Sequence, residues 1–100
     1  MCFDDLFSVA GFQWDSGNQD KNDVKHGVAW HECEQVFFNQ PLLIHDDVGH
    51  SDFEDRYFAL GKANDGRRLF IVFTVRMKLI RVISARDMTK KERAAYHDHE

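Results

Sequence analysis

Apolar positions change their spacing along this chain. Trp30, Cys33, Val36 and Phe37 recur at the three- and four-residue intervals of a helix, and predict a short amphipathic one from Trp30 to Phe38. Asn39-Gln40-Pro41 ends it. Beyond that point the pattern shortens to strands. Leu42 to Asp46 reads as the first, and Arg56 to Ala63 as the second, with Phe58 and Leu60 on one face. Arg68 to Val75 is nearly all apolar and so predicts a central strand, and Ile80 to Ala85 follows it. Asn64-Asp65-Gly66 between the second and third runs predicts a hairpin with a tight primed turn.

The ends are less regular. Residues 1–11 read as an irregular leader, and Phe12-Gln13-Trp14 is long enough only for a short edge strand. Asp15-Ser16-Gly17-Asn18-Gln19-Asp20 has poor helix propensity. Asp15 or Ser16 can still cap a helix that stops at Lys25-His26, with Gly27 as its left-handed end. At the other terminus Thr89-Lys90-Lys91-Glu92 is a capping box and opens a charged helix to His97. Its apolar side is thin (Met88, Ala95, Tyr96), so it packs lightly or serves a partner. The expected fold class is α+β: a small antiparallel sheet of about four strands, two N-terminal helices and one C-terminal helix, in one domain over residues 1–100.

Strand parity turns the pattern into a surface. If the link between the last two strands has an even number of residues, Val75 faces Ile80 and Phe73 faces Val82. Leu69, Ile71, Phe73 and Val75 then share the core face with Ile80 and Val82, and Thr74, Arg76 and Arg81 share the other. An odd link would bury the Arg81 guanidinium among apolar groups at a cost of several kcal/mol. The even register therefore puts two arginines and a hydroxyl on one face, a set able to grip a phosphodiester by bidentate hydrogen bonds.

Charge complicates that picture before supporting it. The net charge is −4, against the basic balance usual for proteins that bind nucleic acid. The cations are unevenly placed, however: residues 61–93 hold ten Lys and Arg and three acids, Asp65, Asp87 and Glu92. A local cationic surface thus survives the acidic total. No apolar run approaches the ~18 residues of a membrane span, and the acidic start (Asp4, Asp5) is unlike an export signal, so a cytoplasmic protein is expected. Cys2 and Cys33 are too few for a disulfide framework and read as idle or buried thiols. His45, Asp46, Asp47 and His50 lie close together but match no tight metal-ligand spacing, so neither metal nor cofactor is expected.

Trp14-Asp15, Asn22 followed by Lys25-His26-Gly27-Val28, Val36-Phe37 before Pro41, Glu54 and Arg56 before Gly61, Gly66-Arg67, Thr74 with Arg76, the run Arg81-Val82-Ile83-Ser84-Ala85-Arg86, and Glu92-Arg93 before Tyr96 occur in one order. In that order they resemble the BrnT family of bacterial ribonuclease toxins, across roughly residues 12–96. Ser16-Gly17-Asn18 stands where that family has Pro and Lys, and Ala29-Trp30 where it has a capping Ser.

The resemblance implies a RelE-like fold and metal-free RNA cleavage by attack of a ribose 2′-OH on the adjacent phosphorus. Such chemistry needs a base, an acid, and cations for the charge that builds on phosphorus. Arg76 and Arg81 are the expected charge stabilisers, with Glu54 and His26 for proton transfer. Arg56, Arg86, Lys25 and Thr74 are the expected phosphate contacts. Each has a structural counterpart: the arginines can pair with Glu54 or Asp87, and His26 and Lys25 can complement a helix end. Tyr57 and Tyr96 can stack on bases or fill the core. The implied partners are an RNA substrate and a BrnA-like antitoxin with a ribbon-helix-helix part, the complex binding its own promoter DNA. The alternative is a catalytically inactive module on the same scaffold, acting as co-repressor or assembly partner.

Overall fold

Strands that bury one face against a helix must carry their polar residues on the other, and the sheet of this protein is arranged on that rule. The computed structural model describes residues 9–19, 26–46 and 55–100. Its elements are β1 (Gly11–Phe12), α1 (Trp30–Val36), β2 (Leu43–Asp46), β3 (Arg56–Lys62), β4 (Arg68–Arg76), β5 (Leu79–Asp87) and α2 (Lys90–His97). The strands form one sheet in the order β1-β5-β4-β3-β2, so the apolar β4 is central, as its composition predicts.

The α+β class agrees with expectation, but the strand and helix counts do not. The sheet has five strands and is mixed: β1 runs parallel to β5, pairing Gly11 with Leu79 and Phe12 with Ile80. The parallel pair covers an edge of β5 that would otherwise expose unpaired backbone groups. Two helices are found among the described residues. The helix expected to end at His26 falls largely on residues outside them, although His26 is helical and Gly27 takes φ +66°, the left-handed stop. Residues 15–19 form a turn, because Asp15 Oδ1 accepts from the Gly17 and Asn18 amides while Asn18 Oδ1 accepts from the Asp15 amide. Such side-chain bonds compete with a helix.

The β4–β5 register is the even one. Val75 pairs with Ile80, Thr74 with Arg81 and Phe73 with Val82, across a two-residue turn of Met77 and Lys78. Both turn residues have positive φ, 51° and 65°, as a type I′ turn requires. The hairpin expected at Asn64-Asp65-Gly66 forms, but its turn is not a primed one. The Gly66 amide donates to the Ala63 carbonyl and the Ala63 amide to the Arg67 carbonyl, and of Asn64, Asp65 and Gly66 only Gly66 has positive φ, 90°. The Asp65 carboxylate accepts from the Arg67 amide, and Gln35 of α1 accepts from the Asn64 amide.

A β-bulge interrupts β5: Val82 pairs with Phe73, yet Ser84 pairs with Val72, leaving Ile83 extra. Because side chains alternate, this single residue inverts everything after it. Ala85 turns into the core opposite Ile71, and Arg86 turns out opposite Phe70. Without the bulge Arg86 would face α1.

The main core lies between α1 and the inner face. Val28, Cys33 and Val36 meet Tyr57, Ala59, Leu69, Ile71, Phe73, Val82 and Ala85. Gly61 permits this approach, since a Cβ there would sit 2.6 Å from Val36 Cγ1. Burial pushes the Cys33 thiol up to about 12, so it is an inert core group. On the outer face α2 packs Met88 and Tyr96 onto Leu60, with Leu43 and Phe70 at the border. The Thr89–Glu92 capping box is formed in both directions, and Tyr96 donates its hydroxyl proton to the Pro41 carbonyl.

Candidate functional site

Cross-strand pairing sorts the outer face into rows. Arg56 on β3 pairs with Thr74 on β4, which pairs with Arg81 on β5. The next row is His45, Phe58, Val72 and Ser84, and the one after it Leu43, Leu60, Phe70 and Arg86. Two strand spacings separate Arg56 from Arg81, roughly 10 Å between Cα atoms, so both guanidinium groups can reach one phosphate. Arg76 is exposed on the same face, diagonal to Arg81 and beside the strained turn. The structure thus brings Arg56, Arg76 and Arg81 together.

Arg81 already has a partner. Its Nη1 donates to Asp15 Oδ2 at 2.8 Å, and this hydrogen bond holds the Asp15 carboxyl below its ordinary range. The Asp15 side chain is 51% exposed and that of Arg81 19%, so solvent reaches the pair from the carboxylate side. Asp15 is held in place by Asn18, a buried polar residue whose Nδ2 donates to the carbonyls of Gln13 and Val82. Neither residue was marked as a site residue by sequence reasoning. Asp15 lies 66 positions from Arg81, and its Trp-Asp pair was the only signal.

Thr74 belongs to the row but presents no surface. It is fully buried, and its hydroxyl donates to the Asp55 carbonyl at 2.7 Å. It anchors the start of the strand that carries Arg56. Arg86 reaches the outer face because of the bulge, and there it is doubly engaged. Its Nη1 and Nη2 donate to Glu92 at 2.7 and 3.0 Å, and its guanidinium carbon lies 4.1 Å from the Phe70 ring centre. The pairing holds Glu92 below the ordinary carboxylate range.

His26 lies elsewhere. Its carbonyl accepts from Arg67, as does that of Gly27, and Arg67 also donates to both oxygens of Asp87 at 2.7 and 3.0 Å and reaches Glu32. Hydrogen bonding to Arg67 holds the Asp87 carboxyl low, and the same bonds raise Arg67. Asp87 is six residues from Arg81 on one strand, roughly 20 Å at strand rise. The arrangement therefore separates His26 from the Arg81 row.

Glu54 and Lys25 lie outside the described residues, as do Asp47 and His50 of the possible metal cluster. No group of three His, Cys, Asp or Glu that could hold a metal occurs among the described residues. Tyr57 and Tyr96 are buried, so neither offers a ring to a ligand. A cleft of about 570 Å³ lies against β1 and the end of α1, lined by Phe12, Phe37, Phe38, Leu42 and Ile44. It lacks titratable groups and cannot perform phosphodiester chemistry. No described helix is long and apolar enough to cross a membrane.

The sequence matches a family described as the ribonuclease toxin, BrnT, of a type II toxin–antitoxin system, over residues 14–92. No curated protein matches it.

Proposed function

Because the chain belongs to the BrnT family of type II ribonuclease toxins, we propose that it cleaves RNA on the outer face of its sheet, without a metal, and thereby inhibits translation. The observation that supports this most directly is the row Arg56–Thr74–Arg81 with Arg76 diagonal to it, three arginines on one face of the sheet. In this reading the 2′-OH of a ribose attacks the adjacent phosphorus and the 5′-oxygen of the next nucleotide leaves, taking a proton from water. The products are a 2′,3′-cyclic phosphate and a 5′-hydroxyl. Arg76 and Arg81 stabilise the added negative charge, and Arg56 and Arg86 hold flanking phosphates. Phosphate displaces Asp15 from Arg81 when RNA binds.

Glu54 takes the 2′-OH proton. It precedes Arg56 by two residues, so at most about 7 Å of chain separates it from the row. His26 stays at the far end, supporting the segment that follows it. The toxin acts in the cytoplasm and is neutralised by a BrnA-like antitoxin whose ribbon-helix-helix part takes the complex to its promoter.

Expression in a bacterium without antitoxin tests this, with growth and RNA integrity followed together. Wild type should arrest growth and cleave RNA, and cleavage should persist in excess EDTA. Arg76→Ala and Arg81→Ala should lower cleavage by about 100-fold or more, the usual effect of removing one such stabiliser, while remaining folded. Toxic, folded variants at wild-type level would refute this face. One observation favours a second reading, a silent co-repressor module: a carboxylate already occupies Arg81. Normal growth with soluble, folded wild type would select it.

A further inference from the structure

The outer face carries a second feature beside the arginine row, a stack of aromatic rings running across the strands. His45 on β2 stacks on Phe58 of β3, with centroids 5.2 Å apart and planes 27° from parallel. Phe58 stacks in turn on Phe70 of β4, at 5.3 Å and 24°. Arg86 of β5 closes the series over Phe70, its guanidinium plane fixed by Glu92. Cross-strand aromatic pairs also stabilise sheets. Among the described residues, α2 packs on the end of the series at Phe70. His45 is exposed, and Phe58, Val72 and Ser84 are half-buried.

We propose that this ladder, which ends in the exposed His45 ring braced from behind by Phe58, is a stacking platform for an unpaired RNA base next to the site of cleavage. The proposal rests on the cleavage reading above and adds the substrate class, single-stranded RNA. Arg56 and Phe58 are two residues apart on the same face of β3, roughly 7 Å. A nucleotide whose phosphate lies at Arg56 and Arg81 therefore has its base within reach of the rings. Arg56 and Arg81 lie in the row beside the ladder, and Arg86 closes the ladder itself. Rings beside a row of cations suit a strand that offers flat bases on a charged backbone. A duplex keeps its base faces stacked internally and cannot use them.

Fluorescence anisotropy with a labelled 2′-O-methyl oligoribonucleotide, which cannot undergo 2′-OH attack, tests the platform. Its comparison strand has the same backbone with abasic positions. Wild type should bind the base-bearing strand about tenfold tighter than the abasic one. Phe58→Leu should lose most of that preference while keeping the salt dependence, and Phe58→Tyr should restore it. His45→Ala alters an exposed side chain and should lower the preference as well, which keeps the test valid if Phe58→Leu misfolds. Arg81→Ala should weaken both strands alike and flatten the salt slope.

A wild-type preference retained in both Phe58→Leu and His45→Ala overturns the platform. So does equal binding of both strands by wild type, which would leave the ladder to a protein partner. In either case loss of binding in Arg81→Ala would leave the cleavage face standing. Binding of neither strand by wild type would remove the platform and the cleavage face together.

Discussion

The two ends of β5 each carry an arginine cluster, and they differ in how fully the guanidinium is engaged. At one end Arg67 is bound by both oxygens of Asp87, by Glu32 and by the carbonyls of His26 and Gly27. It ties the segment before α1 to the end of the sheet, and displacing any partner would leave charges unpaired. At the other end Arg81 meets one half-exposed carboxylate, on the open face it shares with Arg56 and Arg76. The first arrangement is a structural joint. The second can exchange its partner for a phosphate. Counting arginines does not separate the two; counting what each already holds does.

The sharpest way to break this comparison is to truncate each arginine. Arg81→Ala should lower RNA cleavage by about 100-fold or more and leave the melting temperature nearly unchanged, because a solvent-screened ion pair contributes little. Arg67→Ala should do the reverse, losing about 2 kcal/mol, the scale of hydrogen bonds to a charged group. That loss lowers the melting temperature by roughly 10 °C. Equal thermal losses in the two variants would erase the distinction.

Acid offers a gentler probe. Asp87 has a carboxyl lowered from 3.8, chiefly by its hydrogen bond to Arg67, so it binds protons less readily folded than unfolded. Its stabilisation is therefore full above about pH 5 and disappears as pH falls below 3.8 towards the folded value. Melting curves between neutral and acid pH should show a steeper loss for wild type than for Asp87→Asn, and parallel curves would refute the coupling. The smallest effect is expected at Asp15. Asp15→Asn removes a competitor of phosphate and should raise affinity for short RNA a few-fold at low salt, about what one screened charge contributes. Weaker binding would mean that Asp15 orients Arg81 instead.

Local chemistry made much of the sheet legible. A continuous apolar run had to be central, and the cost of burying Arg81 selected the register found. What escaped depended on distant partners. The Asp-Gly hairpin closes as a three-residue loop with Gly66 left-handed, and Asn39 and Gln35 of another segment bind it at Asn64. The bulge at Ile83 left no trace, since an apolar residue fits either face, yet it decides where Arg86 points. The parallel β1 could not be foreseen from alternation, which does not say which edge a strand joins. For the site, parity put Thr74, Arg76 and Arg81 on one face, and the β3 register adds Arg56 to it. The aromatic ladder did not, because reading each strand alone named Tyr57 and Tyr96 instead of Phe58 and His45.

Trp14 stands immediately before Asp15, its indole N–H bound to Glu34 at 2.7 Å and its ring 6.1 Å from that of Trp30. These are the two tryptophans of the chain, and Trp14 is the chain neighbour of the carboxylate that a phosphate would displace. The molecule thus contains its own optical reporter. Ligand entering at Arg81 is expected to change the intrinsic emission with no label attached, and an unchanged spectrum at saturating RNA would show that Asp15 never leaves.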